Sequence, residues 1–453
     1  MSILSKWKNA RLESRVREVF GVEPGASWEF DRLLGRCAAI YRGRPDWLDP
    51  EDGIGTVNFA KAVCSEVARL AVLGVKITID GSERGAWLQE QIDRVYFRLR
   101  HWVEYGCAYG TVILKPNGED IDLLLPEQFI ITEERGGEVT GCVFQSGRQD
   151  EASGRYYTRL EYHRFLPDGR YAVSNRCFMS DGPYDMGKSV HIDATPWVGL
   201  ARDIVAEDID RPLFAVLRMP GANHLEPGSA MGLPVFADAL TELRDLDVAY
   251  SRNAGEIYDS QRLTLLDDRL VEQTGFPLGR GAKSTKLPRF VRKVFGAGAS
   301  EYYQDVEPGL RTETRLAGIN ALLSQIGFKC GFSNGYFVFN ESGGLMTATQ
   351  VEADDRRTIQ LIKDVRDKLE SALDGLIYAM DRFAEWYQLT PAGEYETVFD
   401  FGDITYSREE DRARWWEYVT AGKAPFWYFL TKFEGFSEEQ AKKLEATADG
   451  RKE

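Results

Sequence analysis

The chain has 453 residues, 43% of them apolar and 28% charged, with a formal net charge of −15. Such a chain is long and apolar enough to bury a sizeable core in two to four domains or one large irregular one, which excludes a disordered protein. The acidic balance excludes a protein that grips nucleic acid along its whole surface, although not one past which nucleic acid slides. No apolar run approaches the ~20 residues needed to span a bilayer. The start, MSILSKWKNARLESRVREVF, is charged and amphipathic and lacks the apolar stretch of a signal peptide. Six cysteines (Cys37, Cys64, Cys107, Cys142, Cys177 and Cys330) are scattered with no CxxC pair. That is the pattern of free thiols in a reducing cytoplasm, not of a disulfide framework or zinc site.

Residues 1–56 read as helix plus loop, closing on RPDWLDPEDG. Thr56 or Asn58 can cap a helix with Val63, Val67 and Leu70 on one face. That helix ends near Gly74, and Val75–Ile79 alternates as a strand. Ser82 opens a second helix, with Leu88, Ile92, Val95, Leu99 and Val103 directed inward. Strands are predicted at 108–115, 121–125, 138–145, 155–165 and 170–179, and Asp168-Gly169 is a hairpin turn between the last two. This half reads as α+β with an antiparallel meander.

Pro212, Pro220, Pro227 and Pro234 make 210–234 an irregular, partly extended crossing. A helix from Val235 to about Ile257 follows, then a glycine-rich, basic, β-rich insertion over 263–307, then a helix over 312–326. One helix leaves, a small module sits at its tip, and a second helix returns. From Gln273 to Ser300 the insertion has no acidic residue but holds Arg280, Lys283, Lys286, Arg289, Arg292 and Lys293. Such a run is either a solvated loop or a contact surface for an acidic partner.

The loop GFKCGFSNGYFVFNESGG, from Gly327 to Gly344, combines five glycines with four phenylalanines and a tyrosine. It feeds Met346–Tyr387, whose apolar residues Ile359, Ile362, Val365, Leu369, Leu373, Leu376, Met380 and Phe383 recur with helical spacing. At 1.5 Å per residue this helix would run roughly 60 Å. It is either one arm of an internal coiled-coil hairpin or a part that reaches out of its own subunit. Gly375 interrupts it, marking a bend or a close packing contact. A strand over 394–406 and two helices, capped by Ser407 with Glu410 and Ser437 with Gln440, complete the chain.

Catalytic patterns are weak. Gly281-Ala282-Lys283-Ser284 has Pro277 and Ala282 where a phosphate loop needs glycines. The histidines His101, His163, His191 and His224 show no metal-ligand spacing, and His163 sits in a predicted strand. Asp267-Asp268 and Asp354-Asp355 fall on predicted surfaces. An enzyme is not expected, nor a metal or cofactor.

Several segments resemble the portal protein of tailed bacteriophages, in the group found in long-tailed phages of Gram-positive hosts. They are WLDPEDGIGTVNFAKAVCSEVARLAVLGVKITIDGS, VEYGCAYGTVILKP, AEDIDRPLFAVLRMPGANHLEPGSAMGLPVFADALTELRDLDVAYSRNAGEIY, MTATQVEADDRRTIQLIKDVRDKLESALDGLIYAM and WWEYVTAGKAPFWYFLTKFEGFSEEQAKK. The similarity spans nearly the whole chain. It implies an α+β portal fold with a very long helix: wing over 1–232, stem helices over 233–257 and 309–326, and the clip over 258–308. It further implies a tunnel loop over 327–344, a helix and strand returning to the wing over 345–405, and a short helical crown over 406–453. It implies a dodecameric ring at the unique capsid vertex, passing double-stranded DNA during packaging and ejection. Expected partners are the terminase large subunit, a head-completion or adaptor protein, and the major capsid and scaffolding proteins. The expected location is the virion, and the host cytoplasm during assembly, with no membrane association. The tunnel loop would turn Phe328, Lys329, Phe332, Asn334, Tyr336 and Asn340 toward DNA, its aromatic rings packing neighbouring loops or pressing on the duplex. Lys329 would give weak, salt-screened phosphate contacts. The clip cations Arg280, Lys283, Lys286, Arg289, Arg292 and Lys293 would bind an acidic surface on the motor or connector. The alternative is another ring-forming connector without a portal role.

Overall fold

The computed structural model describes residues 3–23, 27–118, 120–151, 153–183, 185–259, 263–267, 291–294, 303–306, 312–338, 348–402, 408–421, 423–434, 436 and 438–449. Helices α1 (Ile3–Phe20), α2 (Trp28–Tyr41) and α3 (Phe59–Ala71) lead into strand β1 (Lys76–Asp80), then α4 (Glu83–Val95) and α5 (Leu99–Tyr109). Ser27 and Ser82 cap α2 and α4, their hydroxyls accepting from Phe30 N and Gly85 N. Asn58 precedes α3 in a left-handed conformation, and its amide donates to Tyr41 O (3.1 Å) rather than capping the helix. The single helix expected from Ser82 to Val103 is broken by a 3-10 turn over Tyr96–Arg98. Leu88, Ile92, Val95, Leu99 and Val103 are all buried nevertheless. The turn leaves the inward stripe intact and lets the Tyr96 hydroxyl reach Val75 O.

Strands β2 (Thr111–Pro116), β3 (Ile121–Leu124), β4 (Phe129–Arg135), β5 (Glu138–Gln149), β6 (Tyr156–Phe165), β7 (Tyr171–Ser180), β8 (Lys188–Val190), β9 (Asp203–Ala206) and β10 (Ala215–Arg218) follow. They form an antiparallel sheet β10-β2-β3 and a second, β4-β5-β6-β7-β8, in which β9 also pairs with β7. The Asp168-Gly169 turn joins β6 to β7, with Gly169 at φ +87° and Arg170 N donating to Asp168 Oδ1 (3.1 Å). Two strands depart from the sequence reading. Residues 129–135 form β4, which the sequence does not predict, and β10 turns part of the irregular, partly extended proline-bearing stretch into a paired strand. Its four residues fall between Pro212 and Pro220, so no proline interrupts the ladder to β2.

Helix α6 (Leu240–Asp259) is followed by β11 (Leu263–Asp267), β12 (Val291–Val294) and β13 (Tyr303–Val306), then by α7 (Thr312–Lys329). The three strands form their own sheet, with β12 parallel and β13 antiparallel to β11. Leu243 and Leu246 of α6 share a core with Ile319 and Leu323 of α7. Next come α8 (Ala348–Trp386), 39 residues long, and β14 (Glu396–Asp400), which pairs antiparallel with β1. The chain is thus mixed α+β, its sheets antiparallel apart from the β11–β12 pair. The tail holds three helices, α9 (Arg408–Thr420), α10 (Phe426–Phe433) and α11 (Glu438–Asp449), where two were expected. Pro425 starts the extra one. The expected caps Ser407 and Ser437 lie outside the described residues.

Helix α8 buries Ile362, Val365, Leu369, Leu373, Leu376 and Met380 in the main core, together with residues of α3, α4, α5 and β10. Gly375 marks a packing contact: a Cβ there would lie 3.4 Å from Ala215 Cβ on β10. Two arginines fix α8 to the body. Arg366 is buried and donates to Leu70 O, Ala71 O, Leu73 O and Gly402 O at 2.9–3.2 Å, so one guanidinium closes the C-terminus of α3. Cations are favoured there because carbonyl dipoles converge. Arg84 of α4 is also buried and donates to Asp381 Oδ1 (2.6 Å), Asp381 O and Thr390 O. All six cysteines are buried and unpaired with one another.

At the seam between α1 and α2, burial and the neighbouring Glu13 and Glu226 carboxylates raise the Asp31 pKa to about 7. An acid whose pKa rises on folding favours the folded state at low pH and loses that stabilisation as pH climbs toward 7. Asp31→Asn should therefore raise stability at pH 8 by on the order of 1 kcal/mol, limited by partial exposure, and by much less at pH 5. Urea unfolding at the two pH values measures the difference. Arg366→Met leaves the α3 carbonyls buried without a donor and should destabilise by about 3 kcal/mol in the same assay.

Candidate functional site

The segment joining α7 to α8 is described as far as Val338. Helix α7 ends in a Schellman motif: Phe332 N donates to Gly327 O (2.9 Å) and Gly331 N to Phe328 O (3.2 Å). Gly331 takes φ +92°, as that motif requires, and a Cβ there would also press to 3.2 Å from Leu361. The glycines therefore direct the chain back onto α8 instead of loosening it.

The aromatic rings then lock the turn. Phe332 is fully buried, with its centroid 4.7 Å from Phe337 and 4.9 Å from Tyr336, and Phe337 meets Phe59 of α3 edge-on at 5.2 Å. Ser333 and Thr358 of α8 exchange backbone-to-hydroxyl bonds, Ser333 N to Thr358 Oγ1 (2.9 Å) and Thr358 N to Ser333 Oγ (3.3 Å). The Tyr336 hydroxyl bonds to Glu66 of α3, which also holds Arg69 at 2.7 Å. Burial and the Glu66 contact push the Tyr336 phenol up to about 12. The Arg69 hydrogen bond holds Glu66 below the usual carboxylate range. Asn334 is exposed and bonds through its side chain to Ser324.

These contacts redistribute the residues expected to face DNA. Phe332 offers no free ring surface, because its ring is fully buried against Tyr336 and Phe337. Lys329 is the last residue of α7, and its ammonium lies 2.6 Å from Glu242 Oε1 and 2.9 Å from Asp238 O at the start of α6. Its charge is thus largely neutralised within the chain. Phe328 stays half-exposed beneath Arg357, whose guanidinium carbon lies 3.8 Å from the ring centroid and whose Nη2 donates to Phe328 O (2.8 Å). Asn340 lies outside the described residues. Sequence reading passed over the exposed Arg356 and Arg357 because they follow Asp354-Asp355 and read as part of a solvated helix face. Only the spacing from Phe328 across a turn of unknown shape would have singled Arg357 out.

Of the basic insertion, Arg280, Lys283, Lys286 and Arg289 lie outside the described residues. Arg292 and Lys293 fall on β12, in register with Leu265 and Leu266 of β11.

A second polar cluster sits inside the β2–β7 region. Glu161 Oε2 accepts from Lys115 Nζ (2.9 Å) and Arg159 Nη2 (2.8 Å), and Oε1 lies 3.0 Å from His163 Nε2. The other ring nitrogen of His163 meets the Tyr171 hydroxyl at 3.0 Å, and that hydroxyl accepts from Leu213 N (3.1 Å). Burial opposes the Glu161 charge, but Lys115 and its other partners hold the carboxyl well below the usual range. Burial depresses His163, keeping the imidazole neutral. The cluster ties β2, β6, β7 and the segment leading to β10 together.

No family model matches the sequence, and the search of curated proteins returns no match.

The aromatic turn should respond unevenly to truncation. Phe332→Ala empties a packed site and should destabilise by about 3–5 kcal/mol. Phe328→Ala removes an exposed ring and one cation–π contact, for a loss under about 1 kcal/mol. Chemical unfolding of the two variants checks the contrast.

Proposed function

We propose that this chain is the portal subunit of a tailed bacteriophage, one member of a ring at the unique capsid vertex through which the genome is packaged and ejected. The observation that carries the reading is the order of elements after residue 239. An outgoing helix (α6) and a returning helix (α7) pack side by side across a small sheet of their own. A docked aromatic turn and the 39-residue α8 follow. This order supports a stem, a clip and a loop leading into the wing, and the α+β region before it supports the wing itself.

Physical roles follow from the reading. Twelve copies at −15 carry a formal charge of about −180, so the channel wall mostly repels phosphate and duplex DNA slides. Local cations then act as weak, salt-screened contacts; Lys329, shared with Glu242, is weaker than a free lysine, and Arg356 and Arg357 lie beside the same turn. The basic stretch over 273–300 is the docking surface for the terminase large subunit and later for the adaptor protein. Coat and scaffolding proteins meet the outer wall.

Native mass spectrometry of the purified protein, with negative-stain images of the same sample, tests the reading. The expected result is a closed ring of about twelve subunits with an axial channel wide enough for duplex DNA. A species that stays monomeric or dimeric at every salt concentration overturns it for the isolated chain.

A further inference from the structure

The β1–β14 ribbon has two outer edges, and among the described residues only one is closed. On β1, the Gln89 side chain of α4 caps the edge: Ile79 N donates to Gln89 Oε1 (2.7 Å) and Gln89 Nε2 donates to Ile77 O (3.2 Å). Because Ile77 and Ile79 point their backbone groups away from β14, their register partners Phe399 and Thr397 point theirs away from β1. Two N–H and two C=O groups therefore line the free edge of β14, with no partner among the described residues. Exposed strand edges are templates for another strand, and proteins usually block them, as Gln89 does for β1.

The space beside this edge is shaped. A groove of about 480 Å³ runs between Thr397 and Phe399 and the face of α8 carrying Asp367, Glu370, Ser371 and Asp374. These four helix residues are exposed, and they extend beneath the position a third strand would take. Asp374 shares its charge with Arg211 (2.8 Å), whereas Asp367 and Glu370 remain uncompensated among the described residues. Glu396 and Asp400 flank the edge. A second copy of this acidic chain is thus repelled, and a basic strand is attracted.

We infer that the free edge of β14 takes an extended, basic segment of another protein as a third strand. The added backbone bonds Thr397 and Phe399, and lysines or arginines at alternate positions turn inward over Asp367 and Glu370. This inference is independent of the ring reading, since it needs only the ribbon and α8.

The test uses the full-length protein and an acetylated nonapeptide of alternating lysine and valine, with a glutamate–valine twin as control. Hydrogen exchange read by NMR should slow at least tenfold at the Thr397 and Phe399 amides on adding the lysine peptide. The Val398 amide, which faces β1, should not change, and the glutamate twin should have no effect. Asp367→Asn with Glu370→Gln, on the exposed helix face, should weaken binding at least fivefold at low salt. Absence of protection at the two amides overturns the proposal, as does binding that the double variant leaves unchanged. Protection that grows with protein concentration without peptide would also overturn it, assigning the edge to a second copy.

Discussion

The buried stripe of α8 is the constraint on which the rest of the structure depends. One helix supplies the wall against which α3, α4, β2 and β10 all pack, so each of those elements is placed by the same row of side chains. The wall is held at two heights by buried guanidinium groups, Arg366 at the end of α3 and Arg84 reaching Asp381. Burying a charge is unfavourable unless every direction around it is answered. Arg366 is answered by carbonyls, which fixes not only where α8 lies but how it is rotated. A slip by one residue would carry the guanidinium about 100° around the helix and away from all four acceptors.

The same geometry explains what was readable in the sequence. Helical spacing identified α8 and, as one helix, the stretch that forms α4 and α5, because their burial is continuous, and Asp168-Gly169 announced the β6–β7 hairpin by its turn chemistry. The break at Tyr96–Arg98 was invisible because the inward residues keep their spacing through it. Strand β10 was hidden by its flanking prolines, and its partner β2 lies about a hundred residues earlier in the chain. The candidate loop shows the limit most plainly. Its glycines and aromatics read as flexible and outward-facing, yet Gly331 closes a helix and Phe332 fills the core. Lys329 read as a free cation because nothing local signals Glu242, which lies across two helices and a whole inserted sheet.

The two polar clusters contrast in purpose. The Glu161 network answers a buried carboxylate with Lys115 of one sheet and with Arg159 and His163 of the other, so it ties the two sheets together from within. The charged contacts around the α7–α8 turn, Lys329 with Glu242 and Glu66 with Arg69 and Tyr336, are part-exposed and tie α7, the turn, α6 and α3 together. They are individually weak in water, and together they set the direction in which the chain enters α8. Interior charge ties the two sheets, and surface charge defines a joint.

The six buried thiols have a practical meaning. Burial pushes Cys37 and Cys330 up to about 12, and the same cause raises Cys64, Cys107, Cys142 and Cys177. Thiolate, the reactive form, is therefore scarce, and reagents have no path to it while the core is closed. A cysteine placed on the surface would be a unique attachment point for a dye or a gold particle with no need to strip out the native six. Any uptake of label by the unaltered chain would then time the opening of its core.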